Sequence, residues 1–311
     1  MLQSCWMLVA AFFFASMTAF VKFSSADAGT FEIVFYRSLI GLAFITCCMF
    51  AKGVSFHTKY PWGHFKRSLL GTISFTMWFS TMGHLPLGTA TTLNYTAPLF
   101  IAGYLIFVAL RHKEKAPWNL GGAIAIGFVG VCLVLQPSVN NEQLPYALIG
   151  LAAGAMGPVI FFQIKQLGKL REPSLRIVFY FSLVGTVWGL LGCLLFEGGL
   201  KMHGSETWIG LLSLGACAVL AQLALTRSYA YGNMMLTACF QFATIPIAEI
   251  ISVVVFKDEL PASALLGMAL ILVAGCLASI LTRLREQKKA VARMASSDAP
   301  NAPHPEKRHK L

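Results

Sequence analysis

Apolar runs of about 20 residues recur down this chain with few charges inside them. As helices, each is long enough for a hydrocarbon core about 30 Å thick. Backbone in lipid must satisfy its own N–H and C=O groups, so such runs fold as helices or as strands of a closed barrel. Barrel strands are about 9–11 residues long, so runs of twice that length select helices. Ten spans are predicted, at about 4–22, 31–50, 67–84, 88–110, 118–136, 145–166, 174–196, 207–229, 234–256 and 261–282. Composition agrees, because 12% of the residues are charged, about half the ~25% of soluble domains. The first run lacks a basic leader and a small-x-small cleavage site, so it is expected as a retained helix.

The spans repeat. Phe35-Tyr36-Arg37-Ser38-Leu39-Ile40-Gly41 returns as Phe179-Tyr180-Phe181-Ser182-Leu183-Val184-Gly185, with five of seven positions identical. Leu8-Val9-Ala10-Ala11 returns near Leu151, and Ser68-Leu69-Leu70-Gly71 near Ser213. Thr89 and Thr96 ahead of Pro98 match Thr237 and Thr244 ahead of Pro246, and Gly122 and Gly130 match Gly267 and Gly275. Matches in one order indicate an internal duplication. Five spans per copy, an odd number, make the second copy enter the membrane from the opposite side, as in many secondary transporters. The expected fold is an all-α integral membrane protein of ten transmembrane helices, built as two inverted five-helix repeats over residues 1–138 and 139–282.

Charge gives the orientation. With the N-terminus in the cytoplasm, inside loops hold twelve Lys and Arg and outside loops only Lys22, Lys201 and Lys257, as the positive-inside rule requires. Arg67 is counted with the inside loops. The basic balance therefore serves topology, not nucleic acid. Residues 283–311 have too few apolar side chains to pack, and are expected to be a basic, disordered cytoplasmic tail. Such a tail either contacts anionic lipid or only fixes topology.

Polar residues inside spans are the functional candidates. Pro98 and Pro246 remove a helical hydrogen bond and clash with the preceding turn; matched breaks in inverted halves point to a binding site. Thr96 and Thr244 precede them. Thr92 extends the first polar stripe and Gln241 the second, with Asn94 and Tyr95 on other faces of the fourth span. Trp78, Trp188 and Gln222 are further candidates for a cavity wall. Arg37 and Glu249 are charges within spans, expensive in lipid and functional by default. Counting 1.5 Å per residue places both about 10 Å below the outer surface, so they are expected to pair or to share a substrate, and to gate the outer side. Gly150-x-x-x-Gly154 and Gly185-x-x-x-Gly189 have the spacing for close helix contact.

The ten short spans, the five-plus-five duplication, Phe35-Tyr36-Arg37 at the second span and Thr96-x-Pro98 with Thr244-x-Pro246 make an ordered set. So do Glu114 and Glu259 before the last span of each half. The set resembles the drug/metabolite transporter (DMT) superfamily, EamA type, over about residues 4–282. The resemblance implies export or exchange of small metabolites, such as amino acids, nucleotide-linked compounds and drugs, by alternating access through a central cavity. This chain departs from symmetry at Arg37 and Glu249, whose repeat partners are Phe181 and Ile101.

Other chemistry finds little support. The eight cysteines lie in apolar runs without CxxC spacing, so neither zinc nor a disulfide framework is expected. HExxH, GxSxG, GxxxxGK[ST] and GxGxxG are absent from the sequence. No cofactor is implied. Secondary transport of a small polar metabolite, such as an amino acid, is the leading expectation. The alternatives are an intramembrane enzyme acting on lipid or isoprenoid, for which Arg37 and Glu249 lack a nucleophile, and a membrane scaffold, which needs no helix breaks.

Overall fold

In a computed structural model the chain is helical, with no strand among the described residues. The structure describes residues 2–97, 142–232, 240–259 and 261–297, with Thr237 and scattered positions between 99 and 133. The helices with continuous bounds are α1 (Leu2–Ser24), α2 (Thr30–Ala51), α3 (Pro61–Met82), α4 (Leu87–Asn94), α5 (Leu144–Lys169), α6 (Ser174–Phe196), α7 (Ser205–Tyr231), α8 (Thr244–Val255) and α9 (Ala262–Ser297). Five of them, α1, α2, α5, α6 and α7, are long and apolar enough to cross a membrane.

The main pairings are α1 with α7, α2 with α6 and α3 with α5. They join residues far apart in sequence. Exchanging α1–α4 with α5–α8 maps α1–α7 onto α5–α3, α2–α7 onto α6–α3, and α1–α8 onto α5–α4. The pairs α2–α6 and α4–α8 map onto themselves.

Lipid offers no hydrophobic drive between helices, so close packing must come from small residues. Gly185, Gly189 and Gly192 on α6 face Ser38, Phe35 and Phe31 on α2, and a Cβ added at Gly189 would stand 2.6 Å from the Phe35 nitrogen. The expected close approach therefore occurs within one chain. On α5, a Cβ at Gly154 would stand 2.8 Å from the carbonyl oxygens of both Leu93 and Asn94.

Those carbonyls lie at a break. Helix α4 stops at Asn94, and Tyr95 and Thr96 form a turn before helix resumes at Ala97. The Thr96 hydroxyl donates to the Leu93 carbonyl at 2.8 Å, adding to the Thr96 N–H that reaches the same oxygen at 3.4 Å. In the second half, Phe242 and Ala243 turn and α8 starts at Thr244. Pro246 is then its third residue, where an N–H would have no helical partner. Pro98 lies outside the described residues.

Two boundaries differ from expectation. Helix α3 begins at Pro61 rather than near residue 67, because proline suits the first helical position. Helix α9 continues to Ser297, so residues 283–297 are helical rather than disordered. That segment holds no Gly or Pro and is rich in Ala, Arg and Lys, strong helix formers that need no core. Residues 298–311 lie outside the described part.

Buried carboxylates tie the helix ends. At the end carrying most basic residues, Glu172 accepts from the Thr58 hydroxyl and Arg176 Nη1, both at 2.9 Å, and His64 Nε2 stands 3.3 Å away. Burial alone would raise the Glu172 carboxyl; the hydrogen bonds from Arg176 and Thr58 and the charge of Arg176 outweigh it and hold it below its ordinary value. At the opposite end Glu32 accepts from Lys201 N at 3.1 Å and meets His203 Nε2 at 2.9 Å. Glu197 there accepts the Phe31 and Glu32 N–H groups at 2.9 and 3.0 Å, capping the positive end of α2.

Candidate functional site

A cavity lies where the two halves meet. Its wall is built from Phe14 of α1, Arg67, Ser74 and Trp78 of α3, Tyr95 at the first break, Phe161 of α5, Gln222 of α7 and Gln241 before the second break. The room for the centre of a water-sized sphere is about 60 Å³. A single water needs about 10–15 Å³ by that measure, so this conformation holds a few waters, and a metabolite would require it to widen.

The polar groups on this wall are not equivalent. The Tyr229 hydroxyl donates to Gln241 Oε1. Gln222 Nε2 donates weakly to Thr226 at 3.5 Å, while its Oε1 is buried without a partner. Trp78 Nε1 donates to the Ala90 carbonyl at 3.2 Å, and its ring meets Tyr95 edge-on at 5.8 Å.

Arg67 is the exception. It is 1% exposed, yet it lines the cavity with Nε and Nη1 unpartnered. Its Cζ lies 4.1 Å from the centroid of Phe181. Gly71, one turn on, leaves the room: a Cβ there would meet Nη1 at 3.1 Å. Arg37, 4% exposed, stacks on Phe75 at 4.2 Å and on the same Phe181 ring at 5.1 Å, with its Nε unpartnered. The two Cζ atoms are thus at most 9.2 Å apart. Like charges at that separation repel by roughly 2 kcal/mol at an effective dielectric constant of 20. Each buried ion costs several kcal/mol to desolvate, whereas a cation–π contact returns about 0.5–2 kcal/mol. Among the described residues, neither arginine has a carboxylate within ion-pair distance.

The expected pairing of Arg37 with Glu249 does not occur in this structure. Both Glu249 carboxylate oxygens are buried without a partner, and the group lies against Gly88 of α4. Equal depth along two helices fixes neither their azimuth nor which helix stands between them; Arg37 turns toward α3 and α6 instead. Besides Glu32 and Glu197, an acid that bridges elements at that end is Asp258. It accepts from Lys22 Nζ and the Ser252 hydroxyl, each at 2.6 Å, and from Leu87 N at 3.3 Å, joining α1, α4 and α8. Lys22, Ser252 and the α4 N–H outweigh its burial and hold its carboxyl below its ordinary value.

Of the other sequence candidates, Asn94, Tyr95 and Gln241 reach the cavity wall. Thr92, Thr96 and Thr244 are buried beside the breaks but do not line it, and Pro246 is exposed on the outside of α8. Arg67 escaped the sequence reading because the third span was started at it, which put its charge in a loop. The available signal was Pro61, a helix-start residue one and a half turns earlier.

Residues 1–136 match the EamA-like transporter family. Over those residues the chain is similar to the EamA-type transporters of the DMT superfamily. Relatives extend the likeness along nearly the whole chain. The pseudopaline exporter CntI of Pseudomonas aeruginosa is 26% identical over 283 residues, 89% of this chain and 95% of its own length. A riboflavin transporter of Vibrio cholerae is 25% identical over 86% of this chain and 89% of its own. An S-adenosylmethionine uptake transporter of Rickettsia felis is 23% identical over 94% and 95%. A solved crystal structure, 22% identical, matches with a TM-score of 0.65 over 91% of this chain and 98% of its own, which supports the fold alone. The cavity is thus set among apolar helices long enough to cross a membrane, in a chain whose relatives are named as transporters.

Proposed function

We propose that the chain is a secondary transporter that exports or exchanges a small polar metabolite by alternating access, in a bacterial inner membrane. The observation that carries this is the cavity between the halves, which sets Arg67, Gln222 and Gln241 in a mostly apolar wall and is flanked by the breaks at Tyr95–Thr96 and Phe242–Ala243. A break frees backbone groups that lipid cannot satisfy, and is tolerated where protein or a wet cavity receives them. The exchange-related helix pairings support two inverted five-helix repeats over 1–138 and 139–282, since rocking one repeat against the other is how such folds alternate access.

Both termini face the cytoplasm in this reading. Moving Arg67 into the core leaves eleven basic residues in the loops and adjoining helix ends on that side against three outside. The Lys22–Asp258–Ser252–Leu87 contact then closes the outer end and must break for outward opening. Tyr95 and Gln241 contact substrate, and Thr92, Thr96, Thr244, Pro98 and Pro246 shape the breaks. Glu249, against the outer start of α4, acts in gating rather than as a partner of Arg37.

The decisive experiment is flux. Cells with and without the gene are compared for accumulated metabolites, and the leading candidate is tested for counterflow in proteoliposomes, with and without a pH gradient. Saturable counterflow that Gln241→Leu diminishes in a folded protein is expected. A protein that moves none of the differing metabolites would overturn the proposal.

A further inference from the structure

We infer that the transported metabolite carries an anionic group, a carboxylate or phosphate, and that Arg67 is the residue that binds it, with Arg37 holding positive potential behind the aromatic wall. This rests on the transporter reading above. Arg67 presents two unpartnered nitrogens, Nε and Nη1, at a cavity wall while almost fully buried. Buried charges are normally paired or bound to a ligand, and among the described residues no acid supplies the counter-charge.

Elsewhere two acids of this protein are paired, and Glu249 is an acid that, like the two arginines, is not. Glu172 has Arg176, and Asp258 has Lys22. The two guanidiniums, by contrast, are held together by one ring, Phe181, at 4.1 and 5.1 Å. Phe181 is the residue that stands in the second repeat where Arg37 stands in the first. The two copies thus differ at this position, an arginine in one and, in the other, the aromatic platform on which Arg37 and Arg67 rest. An arrangement that stabilised only the fold would place an acid between two arginines. One that recruits an anion leaves a guanidinium on the cavity wall, as Arg67 is, where its planar group can donate two parallel hydrogen bonds to a carboxylate or phosphate.

The test uses the full chain in nanodiscs, followed by its melting temperature. Sodium succinate, sodium aspartate and sodium phosphate are titrated against sodium chloride at equal ionic strength, with succinamide as the neutral probe and putrescine as the cationic one. At least one polyatomic anion is expected to raise the melting temperature saturably, by about 5 °C, and the neutral and cationic probes to leave it unchanged.

Arg67→Met should melt higher than the natural protein without anion, because an uncompensated buried charge is gone, and should lose the anion-dependent rise. Arg37→Met should keep the rise with roughly tenfold weaker apparent affinity, about the factor that 1.4 kcal/mol of lost attraction represents. A rise that survives Arg67→Met, a set of anions with no effect, or an Arg67→Met protein that melts lower or fails to fold would each overturn the inference. Proteoliposome counterflow of the stabilising anion separates the two readings. Binding without flux removes the transporter proposal alone; flux of a neutral metabolite that is indifferent to Arg67→Met removes the anion inference alone.

Discussion

Two buried polar regions of this protein sit in the same kind of helical packing and are finished differently. Around Glu172, the charged and polar groups meet: the carboxylate has Arg176, Thr58 and His64, and nearby Tyr180 and Arg176 donate to the carbonyls of Phe56 and Ser55. Around Phe181, two arginines share an aromatic ring and have no acid among the described residues. The first region joins the α2–α3 connection to the start of α6 and loses nothing by being static. The second adjoins the cavity. A satisfied network rigidifies, whereas an unsatisfied one beside a cavity is left ready for something that comes and goes. The comparison teaches that burial alone does not distinguish structural from functional charges; the presence of a protein partner does.

The largest effect should come from breaking the satisfied region. Replacing Glu172 with leucine strands the Arg176 and His64 groups, and removing one partner of a buried pair costs about 3–5 kcal/mol. Arg176 is partly exposed, so the lower figure is expected, read as a fall in melting temperature in nanodiscs. A neutral outcome would mean that the region around Glu172 is as dispensable as a surface ion pair. The same carboxyl predicts a pH dependence. Its folded value lies below its ordinary one, so its contribution is complete above the ordinary carboxylate range and is lost as pH falls through the folded value. Melting temperature should therefore decline on acidification below about pH 4.5, and Glu172→Gln should flatten that decline.

A second test concerns packing at the first break. Gly154→Val drives a side chain into the Leu93 and Asn94 carbonyls, 2.8 Å from where a Cβ would sit, and should destabilise by about 1–3 kcal/mol as overpacking does. Gly122, where a Cβ would meet nothing within 4 Å, is the control. Gly122→Val should shift stability by less than about 1 kcal/mol. Equal effects at the two glycines would remove the break from the packed interior.

A smaller effect is expected from exchanging Arg37 with Glu249. The two groups do not meet in this structure, so Arg37→Glu and Glu249→Arg should combine additively, within about 0.5 kcal/mol. Rescue of folding or flux by the double variant would reveal a second conformation in which they touch. Finally, the topology carries no stability signature and is read by labelling. A cysteine placed beside Gly198 should react with an impermeant reagent from outside the cell, and one beside Lys59 should not. The reverse pattern would invert the assignment of both ends.

Much of this fold was legible in the chain because it is encoded locally. Span length and apolarity follow from the thickness of the bilayer. The glycine faces of α5 and α6 follow from helical periodicity, and the breaks follow from what proline does to the turn before it. The duplication is visible directly at Phe35–Gly41 and Phe179–Gly185. The helical stretch 283–297 was misread for the opposite reason: it lacks a core-facing stripe, and intrinsic propensity suffices for it.

Sequence alone determined that this chain is a bundle of apolar helices with a segment that recurs, Phe35–Gly41 at Phe179–Gly185, and that Arg37 and Glu249 are charges within apolar runs needing an account. Tertiary structure alone decided which charges meet. Depth can be counted along a helix at 1.5 Å per residue, but the direction a side chain faces across the bundle depends on how neighbouring helices are rotated and packed. That is why Arg37 stands beside Arg67 and Phe181 rather than Glu249, and why Arg67, placed in a loop by its charge, lines the cavity.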